Sequence, residues 1–340
     1  MRKNKKILNG FFWILVLSGL LLGAAVFSLS VGAAAIPLKN VFSLLLGKGD
    51  SVQQSILLDI RLPRIVLGLA IGGALSLAGV LLQGMFRNPL VEPYTLVISG
   101  GAAVGVCFNL VLGLSRTLGS LTLPLCGFLG AGLVILLVYS LSTRRGILHI
   151  QGLLLTGVML SFISSSLIML IMALARTEDL HGIIFWIMGS LEESDWRLIQ
   201  AALGTAGLGL AGSYLFCFDL NALSLGEEEA VHLGINVEKT KRLLFIIASL
   251  LTGVSVAIAG MIGFVGLVVP HFMRLLVGSD HRILLGSSFL AGAAFLIFCD
   301  TAARTIIAPL ELPVGVITGI IGGSLFVYAL VKKQVFAGGK

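Results

Sequence analysis

Two groups of charged residues interrupt an otherwise apolar chain, and their chemistry is that of recognition, not catalysis. The first is a polar island between Leu220 and Arg242, NALSLGEEEAVHLGINVEKTKR, with consecutive carboxylates at Glu227, Glu228 and Glu229 and a basic exit at Lys239, Lys241 and Arg242. Adjacent glutamates on a helix point in different directions, so they do not converge with His232 into a metal site. The second group is Arg61 and Arg64 in RLPR with Arg304 in CDTAART. Guanidinium groups form directional pairs with carboxylates, which makes these three candidates to receive acidic residues of a soluble partner. Anchoring of helix ends by snorkelling uses the same residues equally well. Asp59 and Asp300 are placed to pair with them internally, and Asp300 and Arg304, four apart, fit an intrahelical pair. His149, His181, His271 and His281 have no evident nucleophile partner, and Ser164, Ser165 and Ser166 read as a packing patch. No GxxxxGKS phosphate loop occurs, so any ATP that drives this chain is bound by another subunit.

The island has the signals of a short helix. Asn221 or Ser224 is placed to cap it, and Ser224-Leu-Gly-Glu227 has the spacing of a capping box. Glu228 and Glu229 lie near the positive helix end. Ala230, Val231, Leu233 and Ile235 give the segment an apolar side with which to pack, and Gly234 is placed to end it. Such a helix is a docking element; an ordinary solvated loop accounts for the same residues.

The elements around these groups must be membrane helices. Of 340 residues, 57% are hydrophobic and 11% charged, against about 25% charged in soluble domains. The apolar runs exceed the roughly ten-residue alternating segments of a membrane barrel, so the fold class is all-α and polytopic. Ten spans fit, at about 11–33, 62–82, 94–113, 119–141, 148–174, 196–216, 243–263, 265–279, 283–303 and 313–333. Arg2, Lys3, Lys5 and Lys6 before Phe11 resemble a signal-peptide layout, but the apolar run outlasts an h-region of about 7–15 residues, which favours a retained first helix. The excess of basic residues on one set of connections puts both termini and the island inside, and Arg61, Arg64 and Arg304 outside. The net charge of +7 comes from these span ends and does not indicate nucleic acid. Cys107, Cys126, Cys217 and Cys299 read as apolar packing residues. Pro270 is expected to start or break a helix, and RNP signals a turn at Asn88. Gly68 with Gly72, and Gly315 with Gly319 and Gly323, have the spacing of close helix packing. A short helix is expected at Leu38–Leu46, in an outer connection that ends in DIRLPR. Buried acids are too few for a proton relay, but a sodium site built of carbonyls leaves no trace in sequence, so ion-coupled transport stands as the alternative class.

Several stretches together resemble a known family. They are RLPRIVLGLAIGGALSLAGVLLQGMFRNPLVEPYTLVISGGAAVG, FWIMGSL, LSLGEEEAVHLGINV and the long run from GVSVAIAGMIGFVGLVVPHFMRLLVG to GVITGIIGGSLFVYAL. They are similar to the permease family of bacterial ABC importers for iron chelates and cobalamin. The resemblance implies one permease domain over 1–340 with the type II ABC importer fold, about ten transmembrane helices, paired with a second copy in the bacterial cell membrane. It implies two cytoplasmic ABC ATPase subunits, which carry the ATP and Mg, and an extracytoplasmic substrate-binding protein. The chain itself then holds no cofactor or metal and is no enzyme. The 220–242 segment becomes the coupling segment, with Leu225, Gly226, Glu227, Glu228, Glu229, Ala230, His232, Leu233 and Gly234 on the ATPase. Arg61, Arg64 and Arg304 become the contacts to binding-protein glutamates. A ferric siderophore or related iron chelate is the expected cargo because that branch is the broader one, with haem and cobalamin as alternatives. Tyr94, Met159, Met169, Met172 and Arg176 are conceivable haem contacts that read better as structural. One departure stands out: AGMIGF carries Met261 where relatives commonly have proline.

Overall fold

A computed structural model describes residues 2–32, 34, 36–45 and 50–337, without the side chains of 2–9, 45, 95–96, 144, 330 and 332–337. Lys48, Lys340 and the side chains of Arg2, Lys3, Lys5, Lys6, Arg144, Lys332 and Lys333, which enter the charge asymmetry, lie outside that description. In chain order the helices are α1 (Arg2–Ser30), α2 (Leu38–Leu45), α3 (Ser51–Ser55), α4 (Leu62–Phe86), α5 (Ile98–Val111), α6 (Leu114–Leu118), α7 (Thr122–Ser142), α8 (Ile150–Leu174), α9 (Thr177–Met188), α10 (Trp196–Leu215), α11 (Cys217–Leu223), α12 (Glu227–His232), α13 (Val237–Ala259), α14 (Val265–Val277), α15 (His281–Thr305) and α16 (Val314–Ala337). Strands β1 (Thr143–Arg144) and β2 (Ile147–Leu148) form a hairpin between α7 and α8. Its two-residue loop has Arg145 and Gly146 both at positive φ, the backbone of a type I′ turn.

A helix apolar on every side has to be covered on every side, and α4 is such a helix. Its apolar window is 89% buried within the chain, wrapped by α10, α13, α14 and α15. Glycine permits the closest of these approaches. Gly72 lies against the backbone of Gly292 on α15 and Gly79 against that of Gly266 on α14, where a Cβ would overlap a carbonyl. The expected small-residue faces hold at Gly68, Gly72 and Gly315, whereas Gly319 opens onto free space. The windows of α7, α8 and α10 are only 28%, 17% and 22% buried, so their apolar surfaces are left for surroundings outside the chain.

Among the described residues seven helices are long and apolar enough to cross a membrane, and three shorter apolar stretches, Ile98–Val111, Val265–Val277 and Val314–Ala329, lie in the other expected spans. With 14 and 13 residues, α5 and α14 rise about 20 Å, short of the roughly 30 Å of a bilayer core. A 3-10 turn at Pro93–Leu96 precedes α5, and unwound chain over 260–264 precedes α14. Gly266 packs on Pro93 and on the carbonyl of Leu75, halfway along α4, so both interruptions sit deep in the bundle. Backbone groups there must be satisfied by the protein itself. The Ile262 N–H donates to Tyr94 Oη at 2.6 Å and the Phe264 N–H donates to Glu92 Oε1 at 2.5 Å. Gln83 Nε2 donates to the carbonyls of Val91 and Gly266, each at 3.2 Å, while Gln83 Oε1 accepts from Arg274.

Two expectations need correction. Pro270 neither starts nor breaks a helix; it lies inside α14. The helical bond that its missing N–H would have made is to the Gly266 carbonyl, and Gln83 fills that vacancy. DIRLPR is not a connection but part of one continuous helix over Ser51–Phe86. Nothing upstream breaks it, and a π-helical turn at Ile56–Arg61, with the Leu62 N–H bonded to the Leu57 carbonyl, carries the ladder to Pro63. The Asn88 turn forms as expected, with the Leu90 N–H on Asn88 Oδ1 at 2.9 Å.

Replacing Gln83 by leucine is expected to lower stability by about 1–3 kcal/mol, because it strands the Gly266 carbonyl. Thermal unfolding in detergent measures this; an unchanged midpoint would show that the carbonyl needs no partner.

Candidate functional site

The two charged groups lie at opposite ends of α4, roughly 33 Å apart by helical rise from Arg64 to Phe86. At the Phe86 end, α11 packs on α4 through Leu220 and Gly84, and α12 follows it. The capping box does not form. Helix α11 runs on through Leu223, so Ser224 is itself helical (φ −65°, ψ −21°) and its hydroxyl donates back to the Leu220 carbonyl at 2.8 Å, a local bond typical of serine in a helical turn. Asn221 is drawn away to Asp280 and to the N–H of His281. Gly226, at φ +147°, is the N-cap instead, a conformation open to glycine. The other end is as the sequence indicates. Gly234, at φ +83°, donates to Val231 O at 2.9 Å, and Ile235 donates to Ala230 O at 3.0 Å, which is the Schellman closure.

The apolar side of α12 is not packed as expected. A six-residue helix offers the chain only a narrow face, and Ala230 alone is fully buried; Leu225, Val231 and Leu233 are 68%, 59% and 63% exposed. Beside them Glu228, Glu229 and His232 are exposed, while Glu227 turns inward to Lys241. The result is a stiffly capped element that shows apolar side chains framed by carboxylates.

At the other end, Arg61, Arg64 and Arg304 come together but are buried, none more than 8% exposed. Arg61 donates to the carbonyls of Leu29 and Ala34. Arg304 pairs with Asp300 at 2.9 Å, as their spacing predicts, and donates to Ser28 at 2.8 Å. Arg64 lies beneath two carboxylates, Glu192 at 3.1 Å and Glu311 at 2.8 Å. Asp59 is exposed and joins none of these pairs among the described residues. The charges that meet solvent are therefore Glu192 and Glu311, on the rim of a cavity of about 320 Å³ that also includes Trp186, Asp300 and Leu312. Burial and the neighbouring Glu311 raise the pKa of Glu192. Burial acts the same way on Glu311, but hydrogen bonds from Glu192 and Arg64 outweigh it and hold Glu311 below its ordinary value. Neither glutamate was legible as a partner of Arg64, because 128 positions separate Arg64 from Glu192 and no local spacing links them. Of the conceivable haem contacts, Tyr94 is taken by Ile262, Met172 packs near Cys107 and Ile183, and Met159 and Met169 are exposed on α8.

The model of the FecCD transport family matches residues 20–332. The chain belongs to this family. Among the family's members, it is 35% identical over 339 residues to the hemin transport system permease protein HmuU of Yersinia pestis, covering 98% of each chain. It is 40% identical over 284 residues to the cobalamin import system permease protein BtuC of Halobacterium salinarum, covering 84% of this chain and 75% of that one. A solved metal-chelate-type ABC transporter in an inward-facing conformation superposes with a TM-score of 0.83 at 33% identity, covering 95% of this chain and 99% of the other. Permeases of this family are not catalytic, and ATP hydrolysis falls to a separate subunit.

The cap of α12 is directly testable. Gly234→Ala, which forces a Cβ into left-handed backbone, is expected to cost about 1 kcal/mol locally. Amides of 230–235 then exchange several-fold faster in hydrogen-exchange measurements while those of α4 stay unchanged; equal exchange at 230–235 would mean that the cap does not hold the helix.

Proposed function

We propose that this chain is the membrane permease subunit of an ATP-driven importer for a ferric siderophore or related iron chelate. Ten membrane helices per subunit, two subunits around a central path, two ATPases at the α12 end and a binding protein at the Arg64 end make up the working assembly. Both termini and α12 face the cytosol in this reading, as the distribution of basic residues favours. The observation that carries it is α12. Val231 within it and Leu225 and Leu233 beside it are exposed although its backbone is closed at the C-terminal end, and apolar side chains grouped in this way mark a contact surface. ATP binding closes the ATPase pair, α12 moves with it, and the spans turn from one access state to the other. The resulting path needs few tight cargo contacts, because selection falls to the binding protein. A metal-chelate or vitamin cargo is supported by the family. Haem is the second reading, favoured by the near full-length similarity to a hemin permease; cobalamin is the third.

Docking at the other end takes a specific form. With Arg64 beneath Glu192 and Glu311, carboxylates of an arriving binding protein have to replace these two. Neutralising the incumbents in Glu192→Gln with Glu311→Gln is expected to tighten binding-protein affinity by about tenfold, or roughly 1.4 kcal/mol. Titration of the permease in nanodiscs measures this, and unchanged or weaker affinity would remove Arg64 from the docking site. Leu225→Asp with Leu233→Asp should abolish co-purification of the ATPase while the permease stays folded. Retained assembly would refute the role of α12. Uptake of a ferric siderophore, hemin and cyanocobalamin by the full complex in proteoliposomes separates the cargo readings.

A further inference from the structure

The start of the second turn of α13 holds a buried cation that the reading above does not use. The Lys241 side chain is 4% exposed, and its ammonium has partners from three elements. Glu227 of α12 lies at 3.2 Å, Glu238 one turn back on α13 at 2.6 Å, and the Leu148 carbonyl of β2 at 3.4 Å. Glu238 uses its other oxygen to accept the Leu148 N–H at 2.8 Å. Both backbone groups of Leu148 are thus held by the Lys241–Glu238 pair, much as a neighbouring strand would hold them. The flanking residues repeat the pattern. Thr240 donates to Asp219 of α11 at 2.8 Å, and Arg242 donates to the Gly146 carbonyl in the hairpin turn at 3.4 Å.

We infer that Lys241 is a positioning residue that makes the β1–β2 hairpin travel with α12, so that α7 and α8 receive the same displacement as α13. The inference rests on the reading of α12 as the ATPase contact. Its physical basis is the penalty for leaving a buried ammonium short of partners. If α12 moves and takes Glu227 with it, the favourable response is for Lys241, Glu238 and Leu148 to follow. The hairpin passes that shift on directly, since β1 continues α7 and β2 leads within two residues into α8. There is room for it to do so. A cavity of about 460 Å³, lined by Arg87, Asn88, His149, Gln151, Glu227 and Lys241 among others, separates the hairpin from the turn after α4. A purely structural contact would be served as well by an apolar side chain, because buried ion pairs add little net stability over well-packed apolar residues. What the ion pair supplies is a fixed register between α12, α13 and β2.

Hydrogen-exchange mass spectrometry on the permease–ATPase complex in nanodiscs, nucleotide-free against ATP–vanadate trapped, tests this. In the unmodified complex the trapped state should shift exchange in both 225–235 and 143–150. In Lys241→Met the shift at 225–235 should persist and the shift at 143–150 should be lost, and Lys241→Arg, which keeps the cation, should restore it. Glu238→Gln keeps the shape and removes one charge; it gives the same loss and carries the test if Lys241→Met does not assemble. A hairpin response in Lys241→Met or Glu238→Gln equal to that of the unmodified complex overturns the inference. So does an unmodified complex in which only 225–235 responds. No nucleotide response at 225–235 instead overturns the reading of α12 itself, so the two failures are distinguishable.

Discussion

Hydrocarbon offers backbone amides no hydrogen bonds, and much of this structure follows from that constraint. A chain made only of uninterrupted helices would meet it trivially, but this one interrupts two of its passages deep inside the bundle. The interruptions hold because three polar side chains stand in for the missing helical ladder. Glu92 and Tyr94 accept from the amides of Phe264 and Ile262, and Gln83 supplies the donor that Pro270 lacks. Two of the three come from the stretch after α4, and the third comes from α4 itself. That helix can serve as the frame because glycines at 72 and 79 let α15 and α14 reach its backbone.

The sequence carried the local part of this and missed the distant part. Long apolar runs place the spans, the four-residue spacing places the Asp300–Arg304 pair, and Gly234 closes α12, because in each case the partner is a near neighbour along the chain. The capping box at Ser224 was a local signal that failed, since α11 extended over it and removed the conformation that a cap needs. Gln83 and Gly266, or Arg64 and Glu192, are brought together only by helix packing, and nothing in their spacing announces it. Burial of the arginines follows the same logic. Three guanidinium groups buried close together must find acceptors: Arg304 finds Asp300 one turn away, Arg61 finds the carbonyls of Leu29 and Ala34, and Arg64 finds Glu192 and Glu311 from distant connections.

The two ends of the bundle treat charge in the same way. At one end Arg64 is sheathed by its own carboxylates, and at the other Lys241 is held by Glu227 and Glu238. Both ends also expose apolar side chains: Ile306, Ile307 and Leu310 beside Glu311, and Leu225, Val231 and Leu233 in and around α12. What sets the second end apart is a short capped helix tied to α13 and to the hairpin through Glu227 and Lys241.

The central claim is that α12 is seated on an ATP-binding subunit. A photo-reactive residue placed at Leu233 in the intact assembly, in its native membrane, tests it most directly. The account predicts a crosslink, identified by mass spectrometry, to a subunit that carries a phosphate-binding loop of the kind absent here. A crosslink confined to lipid, or to a protein on the extracytoplasmic side, would contradict it.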